Sequence, residues 1–260
     1  MSVTPIQTYP IAGQMLGVAV FGQPHPERDP ILLLHGWGGS IESMIGAAEG
    51  LAARGHYIHA LDLPGFGRSA PPPEGAAWGV DDYARIVLAY LDSAGVERVN
   101  LIGHSFGGRI SLVLGADHAA RVGKIVLADS AGVIAPPTAR DRLLQMGKAA
   151  LKLPGVNAFE GKLRQWGRER LGSADLKTAG VLEATFRRVI QEDLLPHAGR
   201  IAAPTLLIWG DQDQDTPLWQ GQALEKAIPD AGLVVFQGAG HFAYQERLPD
   251  FLRIVDTFFV

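Results

Sequence analysis

The 260-residue sequence has no cysteine, which excludes disulfides, thiolate nucleophiles and cysteine-ligated metal centres. It also lacks any apolar run near the roughly 18 residues that a membrane span requires, so no membrane insertion is expected. The stretch MSVTPIQTYPIAG has no basic and then apolar pattern of a signal peptide, and the expected compartment is the cytoplasm. Positive charge is not in surplus: 23 Lys and Arg against 27 Asp and Glu leave a net charge of -4, which gives no general attraction for nucleic acid or an anionic bilayer. What is present is a folding composition. With 47% hydrophobic residues, the chain is long enough for one large domain, or for one domain carrying an insertion.

Short apolar runs recur at ILLL (Ile31 to Leu34), YIHAL (Tyr57 to Leu61), VNLI (Val99 to Ile102), KIVLA (Lys124 to Ala128), TLLIW (Thr205 to Trp209) and LVVF (Leu233 to Phe236). Each has strand length, and helix-length segments separate most of them. One of these, Asp81 to Ala94, carries Tyr83, Ile86, Val87 and Tyr90 at helical spacing. Strands alternating with helices predict an α/β fold with a mostly parallel sheet, and the unbroken apolar character predicts strands covered on both faces. Leu248, Phe251, Leu252, Val255, Phe258 and Phe259 predict a final helix docked on that sheet.

Residues 133–199 break the rhythm. They show no strand signal and carry charged helical patterns, which predicts a helical cap inserted into a core made of 1–132 and 200–260. The interval holds 11 Lys and Arg against 7 Asp and Glu, a net of +4, so the remainder of the chain carries -8. Solvated helix faces explain such a run most simply, and steering of an anionic substrate is the sharper alternative.

The chemistry concentrates in glycine-bounded loops. Gly103-His104-Ser105-Phe106-Gly107 follows one strand-like run and precedes a helix-like one, the context that a nucleophile elbow requires. A serine hydroxyl needs a base, and the base needs an orienting acid. His241, in GAGHFAYQE after the LVVF run, falls on a loop at a strand's carboxyl end, where open parallel sheets place chemistry. For the acid, WGDQDQDTP offers Asp211, Asp213 and Asp215. Thr216 and Pro217 read as an N-cap and first helical residue, which assigns Asp215 to the helix entry; Asp211 reads as a turn residue. Asp213 remains, with Asp129 after KIVLA as the rival. HGWGG (His35 to Gly39) follows the ILLL strand, so that the Trp37 amide can pair with that of Phe106 as an oxyanion hole. His35, Gly36 and His104 read as loop-bracing or site-lining residues.

Taken together, HGWGG, DLPGFGRS, GHSFGGR, WGDQD and GAGHF resemble the α/β-hydrolase superfamily over nearly the whole chain. The order Ser105, Asp213, His241 is that family's order, and its usual G-x-x-D spacing from Gly210 lands on Asp213. The resemblance implies a substrate pocket between core and helical lid, no metal and no organic cofactor. Serine at position 105 disfavours dehalogenases and epoxide hydrolases, which use aspartate there. It leaves carboxylesterases as the main expectation, with a small-molecule ester or related carbonyl compound as substrate. Carbon–carbon bond hydrolases of vinylogous diketones, lactonases, iminopeptidases and perhydrolases stay open, as does a small-molecule receptor on the same fold. Phe159, Trp166 and Phe186 are candidates for an apolar lining. The oligomeric state is not encoded in any of these motifs.

Overall fold

The computed structural model describes residues 5–134 and 180–260. An eight-stranded sheet runs in the order β1 (Gln7–Ile11), β2 (Gln14–Phe21), β4 (Ile58–Leu61), β3 (Ile31–Leu34), β5 (Val99–His104), β6 (Val122–Ala128), β7 (Thr205–Gly210), β8 (Ala231–Phe236). From β4 through β8 every neighbouring pair is parallel. Alternate side chains of these strands enter two separate cores. Leu32, Leu34, Leu101, Leu127, Leu207 and Trp209 face one, and Ile31, Leu33, Ile102, Val126 and Ile208 face the other. This is why the strands read as continuous apolar runs: a period of two sends each neighbour to a covered face.

Helices α2 (Val80–Ser93), α3 (Phe106–Asp117) and α6 (Trp219–Ala227) close the first core through residues such as Tyr83, Ile110 and Leu224. On the opposite face, α1 (Ile41–Ala52) and, after the short α7 (Ala243–Glu246), α8 (Leu248–Phe259) supply Met44, Leu51, Phe251 and Val255. The result is a three-layer sandwich with the final helix docked as its spacing predicts.

One part of the sheet departs from the sequence reading. The first two strands form an antiparallel hairpin that then pairs antiparallel with β4. Ala12 and Gly13, at φ 47° and 82°, provide the two positive φ values of a tight I′-type connection. Pro10 and Gly17 interrupt the strand pattern, and the exposed β1 has no apolar run to reveal it. Proline is tolerated there because β1 is an edge strand, where a missing N–H removes no central ladder bond.

Residues 180–199 contain a 3-10 turn at Gly180–Leu182, then α4 (Glu183–Val189) and α5 (Leu195–Ala198). Most of the expected cap, including Phe159 and Trp166, lies outside the described residues. Among the described residues no helix is long and apolar enough to cross a membrane.

Chain order reverses around β3, which lies between β4 and β5, so the loops leaving β3 and β5 diverge at a topological switch point. The two loops are held close. Gly107 N donates to His35 O at 3.1 Å, and a Cβ on Gly107 would overlap the Leu34 carbonyl. Backbone cannot yield as a flexible side chain does, so Gly107→Ala is expected to destabilise the fold by at least about 2 kcal/mol. Chemical denaturation measures this directly; an unchanged midpoint would contradict the contact.

Candidate active site

Ser105 occupies the corner between β5 and α3 with φ 49° and ψ -107°. A positive φ on a residue with a Cβ costs about 1–3 kcal/mol and persists only where the surroundings enforce it. Gly103, Gly107 and Gly108 permit the enforcing contacts, because each lies against backbone or side-chain atoms that a Cβ would strike. The strain projects the hydroxyl out of the turn and into a cavity lined also by Trp37, Phe106, Phe186 and His241.

Three segments distant in sequence converge on that hydroxyl. Ser105 Oγ donates to His241 Nε2 at 3.0 Å, and His241 Nδ1 donates to Asp213 Oδ2 at 2.9 Å. Ser105 follows β5, Asp213 follows β7 and His241 follows β8, all at carboxyl ends of adjacent or nearby parallel strands. Asp213 Oδ1 accepts the amides of Asp215 at 2.8 Å and Thr216 at 2.9 Å, and the Thr216 hydroxyl donates to Oδ2 at 2.6 Å. Burial alone would raise the Asp213 pKa, but the hydrogen bonds from His241 and Thr216 outweigh it and hold the carboxylate ionised, below its ordinary value. An ionised carboxylate accepts only, which assigns the imidazole proton to Nδ1 and leaves Nε2 free to accept.

The same pair sets the pH response. Burial lowers the His241 pKa, yet the hydrogen bond and charge of Asp213 more than offset this and raise it above 6.5. A histidine base must be neutral, so kcat/KM should be full above the raised pKa and fall about tenfold per pH unit below it. The midpoint of that acidic limb is expected above 6.5. A rate that stays flat from pH 8 to about 5 would exclude His241 as the base.

The other acids have different partners. Asp211 Oδ1 accepts Gly238 N at 2.7 Å, a loop contact. Asp215 donates its amide to Asp213 Oδ1 at 2.8 Å. Asp129, at φ 44°, accepts Gly210 N at 2.8 Å and Ala243 N at 3.1 Å, joining the loops that carry Asp213 and His241 instead of meeting the His241 ring. Burial pushes its pKa up to about 8, against the pull of the Gly210 amide.

Thr216 corrects the sequence reading. Helix α6 starts at Trp219 with Leu218 as its N-cap, so Thr216 does not cap it. Its hydroxyl donates to Asp213 Oδ2 and stands 3.0 Å from Asp129 O, because a buried carboxylate gains more from that donor than an exposed helix end does. The spacing Asp213-x-x-Thr216, an aspartate facing amides two and three residues on, was the available signal.

His35 and His104 brace the loops. His35 Nδ1 donates to Gly36 O at 2.7 Å while Nε2 accepts Leu63 N at 2.9 Å. His104 Nε2 donates to His241 O at 2.8 Å, fixing the backbone of His241. Burial holds His104 neutral, with its pKa drawn down to about 3. A Cβ on Gly36 would stand 2.8 Å from His104 Nδ1, so glycine is required for that approach. Trp37 packs against Phe66, Phe106 and Phe186 at ring distances of 4.9, 5.2 and 4.9 Å. Asp213, Asp215 and His241 also place ligand atoms within 4.8 Å of one another, as a cation site would need. Asp213, however, already accepts three protein donors besides His241.

The family model described as alpha/beta hydrolase fold matches residues 29–155, and a second, described as TAP-like protein, matches residues 186–260. The chain belongs to the α/β-hydrolase superfamily. This α/β-hydrolase is 28% identical over 275 residues to the 2-hydroxymuconate semialdehyde hydrolase of Pseudomonas putida, covering 98% of this chain and 96% of the relative. It is 28% identical over 254 residues to the 2-hydroxy-6-oxo-6-phenylhexa-2,4-dienoate hydrolase of Comamonas testosteroni, covering 89% and 88%. Among solved structures, a bacterial membrane phospholipase A superposes with a TM-score of 0.76 at 26% identity, over 98% of this chain and 86% of that one. The enol-lactonase of Burkholderia xenovorans LB400 superposes with a TM-score of 0.73 at 24% identity, over 97% and 99%, a likeness of fold. The protein is a hydrolase.

Proposed function

We propose that this α/β-hydrolase cleaves a carbon–carbon bond beside a ketone in a vinylogous diketone, through an acyl-enzyme on Ser105. The observation that carries the reading is the continuous relay from Asp213 through His241 to the Ser105 hydroxyl, set in a cavity. Near-full-length similarity to a 2-hydroxymuconate semialdehyde hydrolase and a 2-hydroxy-6-oxo-6-phenylhexa-2,4-dienoate hydrolase supports this substrate class over the simple ester that the motifs first suggested.

His241 Nε2 takes the proton of Ser105 Oγ as the oxygen attacks the ketone carbonyl carbon. Negative charge then develops on the carbonyl oxygen. The amides of Trp37 and Phe106 are the donors for it; among the described residues neither has an acceptor within the protein. Collapse of the tetrahedral species breaks the carbon–carbon bond. Its electron pair passes into the conjugated enolate of the leaving fragment, and the His241 proton completes that product. Water, deprotonated by His241, then attacks the acyl-serine and releases a carboxylic acid. Asp213 holds the imidazole in the required tautomer and stabilises its charged form.

Ester hydrolysis is the second reading, favoured by the 26% identity to the phospholipase A structure. The two separate in one assay. With 2-hydroxy-6-oxo-6-phenylhexa-2,4-dienoate and p-nitrophenyl butyrate as parallel substrates, kcat/KM is expected to be higher for the dienoate, followed by loss of its conjugated chromophore. Turnover of the ester alone would replace the carbon–carbon reading with the esterase one.

A further inference from the structure

Arg109 lies one turn beyond Ser105 on α3 and is only 7% exposed, yet it lines the same cavity as Ser105, Phe186 and His241. The relay has no use for its charge. Nη1 donates to Glu192 O at 2.9 Å, and among the described residues the guanidinium forms no ion pair. The two carboxylates whose charge reaches it are engaged elsewhere. Glu192 Oε2 accepts Val80 N at 3.1 Å and its Oε1 lies 3.5 Å from Arg188 Nε; Asp193 Oδ1 accepts Ile134 N at 3.4 Å and Leu195 N at 3.3 Å. Burial accordingly draws the guanidinium pKa down to about 10 in spite of both acids.

A guanidinium carries five N–H donors and one full charge, and a single carbonyl satisfies little of either. Tying α3 to the Glu192 carbonyl needs only a neutral donor, whereas a buried unpaired cation is costly unless something compensates it. Its planar fork matches one partner best, a carboxylate held bidentately. Residues four apart on a helix stand about 5–6 Å apart, so such a partner and a carbonyl at Ser105 fit within one small molecule.

We propose that Arg109 anchors a substrate carboxylate, making the cavity selective for molecules that carry both a scissile carbonyl and an anionic group. This rests on the cavity being the substrate site of the Ser105 relay. The product retaining the acyl group is then a dicarboxylate, or the leaving fragment keeps the second carboxylate, depending on which side of the scissile bond carries the anion.

Calorimetry with the dicarboxylates from succinate to suberate, each against the monocarboxylate of equal length, isolates the second anion from any carboxylate held at Ser105. Wild type is expected to bind the best dicarboxylate at least about tenfold more tightly than its monocarboxylate partner. Arg109→Met should lose that gain, and Arg109→Lys, which keeps charge without the fork, should retain part of it. Equal affinities in wild type overturn the anchor even if Arg109→Met fails to fold; a gain unchanged in Arg109→Lys and in folded Arg109→Met overturns it too. Fluorophosphonate labelling of the same wild-type sample reads the relay separately. Labelled Ser105 without a dicarboxylate gain defeats the anchor alone, while an unlabelled Ser105 with an Arg109-dependent gain defeats the serine mechanism and supports the anchor.

Discussion

Changing Ser105 to alanine is expected to lower kcat by at least about 10⁴-fold, and by about 10⁶-fold if the relay works as a unit. The fold should be untouched. Among the described residues Ser105 Oγ has one side-chain partner, His241 Nε2, and the residue's tight backbone is held by Gly103, Gly107 and the strand bond from Ser105 N to Ala128 O at 3.1 Å. Alanine tolerates the positive φ as well as serine does, so the thermal midpoint should move by no more than a surface substitution would move it. Substrate affinity should survive as well, because the cavity walls and the Trp37 and Phe106 amides remain. Loss of turnover with unchanged melting and binding is the signature of a missing nucleophile. Parallel loss of all three would mean that Ser105 supports structure instead.

Asp213→Asn is expected to cost about 10⁴ in kcat with little change in packing. Asparagine is nearly isosteric, but it has one acceptor oxygen where the carboxylate has two. Asp213 receives the Asp215 and Thr216 amides on Oδ1, and the Thr216 hydroxyl and His241 Nδ1 on Oδ2. The oxygen of the amide would stay with the two backbone donors, turning its NH₂ toward His241. The imidazole must then present Nδ1 as acceptor and carry its proton on Nε2, the tautomer that cannot take the Ser105 proton. The pH profile gives an independent readout. Without the carboxylate that raises the His241 pKa, burial dominates and the acidic limb should move to lower pH. Asp213→Ala, in contrast, leaves buried donors without acceptors and should also cost stability, about 1–3 kcal/mol for each.

The sequence disclosed most of what lies inside the sheet, because two-sided burial leaves an unbroken apolar run that survives without context. All six strands from β3 to β8 match those runs to within two residues at each end, and Asn100 to Gly115 shows the strand, the strained corner and the helix directly. The hairpin of β1 and β2 was illegible for the opposite reason. One strand is exposed at the edge and the other contains Gly17, whose Cβ would stand 2.6 Å from the Asp62 carboxylate. Side-chain assignments followed a similar division. His241 and Ser105 are marked by their glycine surroundings, but the choice of Asp213 over Asp129 rests on which carboxylate reaches Nδ1. Both lie at strand ends, and only the loop geometry turns Asp129 to the Gly210 and Ala243 amides. Arg109 carried no distinctive local pattern, since its partner, Glu192, lies far away in sequence.

The central claim is that the Ser105 hydroxyl is activated by His241 and Asp213. The most direct test is covalent: incubation of folded protein with a fluorophosphonate at neutral pH, with the adduct mapped by peptide mass spectrometry. The relay predicts one adduct per chain, on Ser105, absent in Ser105→Ala and much slower in Asp213→Asn. Folded wild-type protein that stays unlabelled, or that carries its adduct on another residue, would contradict it.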